Sequence, residues 1–252
     1  MDTRVILLET FYATMSRDKL KLESKSYGFD FVNKLTVDGA ILDYGQLDDN
    51  FVHKYRLLQV PEACRSLLLQ GHVNQDYNVC LYFHKTANNV LCFNLDNNYK
   101  DRNTEVIQEM NLAVQYLQQH LRRYGMEALV LKSGRGYHLW CRFNEPIENR
   151  QLYGFMVRMA AKTWASLHMS NHDYHTIKFN MGPNPNVVNV VSLRLFGSRH
   201  VKTGVFSHVQ TQDGILNEAA SWRYFEDYML NKTISKEQFS LVCTELAGEI
   251  PL

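Results

Sequence analysis

Phe93-Asn94-Leu95-Asp96 ends an apolar run with two oxygen donors two positions apart. On a strand, side chains alternate, so residues 94 and 96 share a face. Two such oxygens can face a hard cation like Mg2+, which takes oxygen ligands and usually only one or two protein carboxylates beside substrate phosphate. Asp96-Asn97-Asn98 equally suits the start of a turn. In Ser133-Gly134-Arg135-Gly136-Tyr137-His138, the glycines let backbone N–H groups approach a phosphate, while Arg135 adds a fork of donors and His138 an imidazole. The same string suits a plain glycine hairpin. From Arg194 to Gly204 the chain gathers Arg194, Ser198, Arg199, His200, Lys202 and Thr203. That density of donors fits a triphosphate or a nucleic-acid backbone, or else a solvated basic turn.

These groups need elements to hold them. Val79–Phe83 and Val90–Leu95 read as two buried strands joined through Ala87-Asn88-Asn89, a hairpin. Val106, Met110, Val114, Leu117 and Leu121 recur at helical spacing, with Asn103 or Thr104 as cap, Arg122-Arg123 in the last turn and Gly125 just past it. Ala128–Lys132 and Tyr137–Phe143 form a second strand pair around the glycine stretch, and Leu152 to Leu167 a second amphipathic helix. Val187–Leu195 and Thr203–Val209 read as strands, with helices over Ala219–Leu230 and Lys236–Leu246. The order points to an α+β fold, an antiparallel sheet with helices packed on one face and the other face open to a ligand.

With 252 residues, 45% hydrophobic and 21% charged, the chain is long enough for a sizeable core and too apolar for disorder. No run suits a membrane span or a signal peptide, so an intracellular protein with no membrane partner is expected. A formal charge of +1 excludes a coat of cations for non-specific nucleic-acid binding, leaving such contacts local. Five cysteines without a CxxC pair predict neither disulfides nor zinc. His172 and His175 have no further ligand close in sequence, and a rolling-circle endonuclease is disfavoured by the lack of His-x-His. Tyr77, Tyr82, Phe83, Tyr99 and Tyr137 suit either base stacking or the core. Asp48-Asp49-Asn50 marks the expected seam between an N-terminal appendage of unread role, 1–50, and a main domain, 51–252. That domain has its motifs within 77–209 and C-terminal helices within 219–246.

Taken in order, the three groups resemble the archaeo-eukaryotic primase superfamily: primase small subunits, primase-polymerases and the polymerase domains of bacterial end-joining ligases. Its first motif, an apolar strand ending Asp-x-Asp, is similar to Phe93-Asn94-Leu95-Asp96. Its second, Ser-Gly-x-x-Gly-x-His, is matched one residue shorter by Ser133, Gly134, Arg135, Gly136 and His138. The run Arg-Leu-Pro-Gly-Ser-Leu-His-x-Lys-Thr-Gly is matched by Arg194, Leu195, Gly197, Ser198, His200, Lys202, Thr203 and Gly204, with Phe196 for proline and Arg199 for leucine. The resemblance implies a primase-type, RRM-like sheet. It also implies a DNA-dependent nucleotidyltransferase, in which two Mg2+ or Mn2+ ions on three carboxylates join nucleoside triphosphates along a single-stranded DNA template. Ser133, Arg135, His138, Ser198, His200 and Lys202 would grip the triphosphate with Arg194 nearby; the metal positions are Asp96, Asn94 and Asn189, and Asp96, Asn94 and His138 form the catalytic set. A helicase, polymerase or other replication protein is the expected partner.

The chain departs from that pattern at its carboxylates. Asn94 stands at the first acidic position, the third falls on Val188 or Asn189, and no Asp or Glu lies between Asp173 and Asp213. Amide oxygens are poorer partners for Mg2+ than carboxylates, which predicts weak metal binding and little or no polymerisation. An inactive relative, deliberate Asp-to-Asn changes and substitution by Asp173 each account for the asparagines. The alternative function is a non-catalytic primase-like module that binds nucleotide or template for a replication partner.

Overall fold

The computed structural model describes residues 2–15, 19–25, 41–47, 51–97, 104–169, 177–187 and 192–250. In chain order the elements are α1 (Thr3–Phe11), β1 (Lys19–Ser24), β2 (Ile41–Leu47), β3 (His53–Leu58), α2 (Glu62–Val73), β4 (Asn78–Leu81), β5 (Ala87–Asn97) and α3 (Thr104–Arg123). They continue with β6 (Leu129–Ser133), β7 (Gly136–Glu148), α4 (Asn149–Met169), β8 (Ile177–Gly182), β9 (Leu193–Arg194), β10 (His208–Thr211), β11 (Gly214–Ile215), α5 (Glu218–Asn231) and α6 (Lys236–Glu249). Among the described residues these make an α+β fold with two antiparallel sheets, ordered β2-β3-β1-β4-β9 and β11-β10-β6-β7-β5-β8. No helix of the described residues is long and apolar enough to cross a membrane.

Strand alternation divides the six-stranded sheet. Leu91, Phe93, Leu95, Val130, Leu139 and Cys141 face a core closed by α3, α4 and α6. All five apolar positions that predict α3 are buried in it or at its rim. The helix ends as expected, with Gly125 at φ 68° and Met126 N–H donating to Leu121 O at 3.0 Å, the left-handed cap that glycine adopts without a Cβ penalty. On the other face Cys92, Leu129, Leu131 and Trp140 join a second core with α1, α2 and Leu20, Leu22, Leu57 and Val79 of the five-stranded sheet. Further along that second face stand Asn94, Asp96 and His138.

Three expectations change. The hairpin over 79–95 does not form: β4 pairs with β1 and β9 in one sheet, and β5 with β7 and β8 in the other. The presumed turn at Ala87-Asn88-Asn89 begins β5; the buried Asn88 amide donates to His84 O at 2.9 Å and to Asn149 Oδ1 at 2.8 Å. The first fifty residues do not stand apart, since β1 lies between β3 and β4 and α1 buries Val5, Leu8 and Phe11. The expected seam at 48–50 lies outside the described residues. Of the strand expected over Val187–Leu195, only Leu193–Arg194 is strand among the described residues, and the one expected over Thr203–Val209 begins only at His208.

Candidate functional site

Strand register assembles the first two groups. Asn94 on β5 pairs with His138 on β7 and, on its other side, with Asn180 on β8. Antiparallel partners opposite each other project to the same side, so His138, Asn94 and Asn180 form one rank, with Asp96 two residues on. Gly136 makes this possible: a Cβ there would lie 2.0 Å from Leu95 O and 3.2 Å from Asp96 Cα. Ser133, half-buried, pairs with Gly136 at the mouth of the loop, and exposed Arg135 reaches back to Asp96 at 3.7 Å.

Gly134 brings in the third group. At φ 42°, its missing Cβ would sit 2.5 Å from the His200 ring, so that ring rests on the glycine loop. Thr203 N–H donates to His200 Nδ1 at 3.2 Å, which places the neutral ring's proton on Nε2 as a donor. Burial, reinforced by Arg194 and Arg135, pulls the His200 pKa down to about 4. Burial and Arg194 do the same to His138. Both rings are therefore neutral donors or acceptors at neutral pH.

Arg194 is half-buried, and its buried partner comes from β1: Nε donates to Glu23 Oε2 at 2.8 Å, while Lys21 Nζ lies 2.8 Å from Glu23 Oε1. Burial alone would raise the Glu23 pKa, but Arg194 and Lys21 outweigh it and hold the carboxyl below its ordinary range. Glu23 and Asp96 both act on Arg194 and His200, so the two carboxylates belong to one electrostatic neighbourhood. Neither Lys21 nor Glu23 is among the residues predicted above. The alternation Lys19-Leu20-Lys21-Leu22-Glu23 was the available signal, a period-2 strand with one charged face.

The loop after β9 is pinned from behind. Phe196 N–H donates to Tyr12 Oη at 3.1 Å, His72 Nε2 donates to Phe196 O at 2.9 Å, and Gln75 Nε2 donates to Gly197 O at 2.7 Å. Asn78 takes both backbone polar groups of Arg199, accepting from its N–H at 3.0 Å and donating to its O at 2.6 Å. Phe196 replaces the proline of the resembling motif with physical consequence, since proline has no N–H for Tyr12. Its ring is buried between Trp222 and Phe225. Arg199 replaces leucine and pairs with Glu218 on α5 at 2.7 Å.

Of the predicted phosphate-gripping residues, Arg135, His138, Arg194 and His200 converge, and Lys202 stands exposed in the turn after His200. Ser198 does not offer its hydroxyl to the others: it is fully buried and donates to Leu195 O at 2.6 Å. Of the predicted metal positions, Asn94 and Asp96 share a face, while Asn189, like Val188, Asp173, His172 and His175, lies outside the described residues. Among the described residues no three His, Cys, Asp or Glu side chains gather as metal ligands. Asp96, with Arg135 beside it, fits one cation that arrives with phosphate oxygens; the described donors do not fit a pair.

No family model matches the sequence, and no curated protein does. Among solved structures the chain is similar to the polymerase domain of ligase D from Mycobacterium tuberculosis in complex with DNA. They share 11% identity over 98% of this chain and 88% of that chain, at a TM-score of 0.46.

Proposed function

We propose that this site binds the phosphates of a nucleoside triphosphate, and that the chain is a primase-polymerase-type nucleotidyltransferase acting on single-stranded DNA with a weakened metal site. One observation carries the reading: the loop 133–138 touches both the Asp96 strand and the His200 loop, so three separated stretches meet as one cationic corner. Arg135, Arg194, His138, His200 and Lys202 supply the donors that a polyphosphate needs. Asp96 would hold a Mg2+ or Mn2+ ion, which when bound neutralises phosphate charge. The lone carboxylate on β5 favours a second reading, a non-catalytic nucleotide- or template-binding module that supports a helicase or polymerase.

Triphosphate binding measured by calorimetry tests the common part. Arg135→Ala and His200→Ala should each weaken it about tenfold, the loss expected when a hydrogen bond to a charged group goes. Unchanged affinity in both variants would refute the site. Nucleotide incorporation on a primed single-stranded template with Mn2+ then separates the readings: extension that Asp96→Asn abolishes supports the transferase, and binding without extension supports the module.

A further inference from the structure

Beside the cationic corner lies a cavity of about 180 Å3, far more than the roughly 10–15 Å3 a single water requires. Asn94 belongs to both. Among the described residues its lining holds no Asp, Glu, Lys, Arg or His side chain, so these residues offer neither a metal ion nor a phosphate a counter-charge. It presents three amides instead, Asn94, Asn180 and Asn184, against the Phe83 ring and the aliphatic Val187 and Leu193. The floor is built for this: a Cβ at Gly182 would lie 2.2 Å from the Phe83 ring, so glycine lets that ring in. Asn184 Oδ1 accepts from Asn186 N–H at 2.9 Å, which turns its NH2 into the available end.

Resting on the triphosphate reading above, we infer that this cavity takes the uncharged nucleoside part of the bound nucleotide, and that Asn94 serves as a base- or sugar-binding amide rather than a metal ligand. An amide presents a donor and an acceptor together, the pattern that base edges offer and that asparagine reads in nucleic acids. Aromatic walls and a few convergent polar groups are how small planar ligands are held. The rank His138–Asn94–Asn180 crosses two strand spacings, roughly 10 Å, a length that one nucleotide bridges from phosphate to base. The amide at position 94 then has a use of its own in the place where the resembling motif carries a carboxylate.

The test compares ATP, GTP, CTP and UTP with inorganic tripolyphosphate, which has phosphates and no nucleoside. Asn180→Ala should weaken the best-bound nucleoside triphosphate roughly three- to tenfold, the worth of one hydrogen bond, and leave tripolyphosphate affinity unchanged, while Asn94→Ala should weaken the nucleoside triphosphate by at least roughly threefold more than it weakens tripolyphosphate. Retained tripolyphosphate binding also shows that the variants fold. If both variants bind nucleotides as the parent chain does, or if Asn94→Asp gains Mn2+ affinity with no loss of nucleotide affinity, the inference falls while the phosphate site stands. If the parent chain binds neither ATP nor tripolyphosphate, the phosphate site itself falls.

Discussion

His72 and His138 are buried imidazoles held neutral. Each has its pKa pulled down to about 4, His72 by burial alone and His138 by burial with Arg194, against about 6.5 in an unfolded chain. The unfolded state therefore takes up protons first as pH falls. Their contribution is complete above pH 6.5, drains away between 6.5 and 4, and is gone below that window. The slope is up to about 1.4 kcal/mol per pH unit for each ring. Urea denaturation between pH 4.5 and 7.5 should show this decline, and His72→Gln should flatten it by one proton's worth even though it lowers stability at pH 7. An equally steep slope in the variant would contradict the assignment. A second residue-scale expectation concerns Tyr12, whose hydroxyl accepts the Phe196 N–H. Tyr12→Phe leaves a buried donor without a partner and should cost about 1–3 kcal/mol, read as a lower urea midpoint at unchanged m-value.

At the level of elements, the glycine loop is the joint on which the site turns, and it was legible in the sequence. The apolar strands on either side of Ser133–Gly136 predict β6 and β7, and alternation puts Asn94 and Asp96 on one face, as found. The helices α3 to α6 follow from apolar spacing in the same way. The 79–95 hairpin did not follow. Both of its runs are buried on two faces and show no alternation, so nothing local says which neighbour each strand takes; β1 and β7, distant in sequence, take them. Glu23 was missed for the same reason, its partner Arg194 lying 171 residues away. Gly136→Ala tests the joint: its Cβ would collide with Leu95 O of the paired strand, where no flexible side chain can give way. Overpacking of this kind costs about 1–3 kcal/mol. The variant should therefore melt lower and lose triphosphate affinity, and a variant that melts and binds as the parent does would contradict the close approach of β7 to β5.

Across the whole molecule, the N-terminal segment is part of the core rather than an addition to it. Val5, Leu8, Phe11, Tyr12 and Met15 are at most 1% exposed, and burial of a large apolar side chain stabilises by about 1.5–3 kcal/mol. Their sum rivals the about 5–15 kcal/mol by which folded domains typically exceed unfolded ones. Deleting residues 2–15 should abolish cooperative unfolding, and a truncated chain with a sharp melting transition would refute this. The central position of β1 also bears on biosynthesis. Its Glu23 emerges from the ribosome 171 residues before Arg194, roughly ten to thirty seconds at 5–20 residues per second. Until then β4 has no β9 beside it and the carboxylate lacks its guanidinium, so the nascent chain presents an open β-edge that invites chaperone capture.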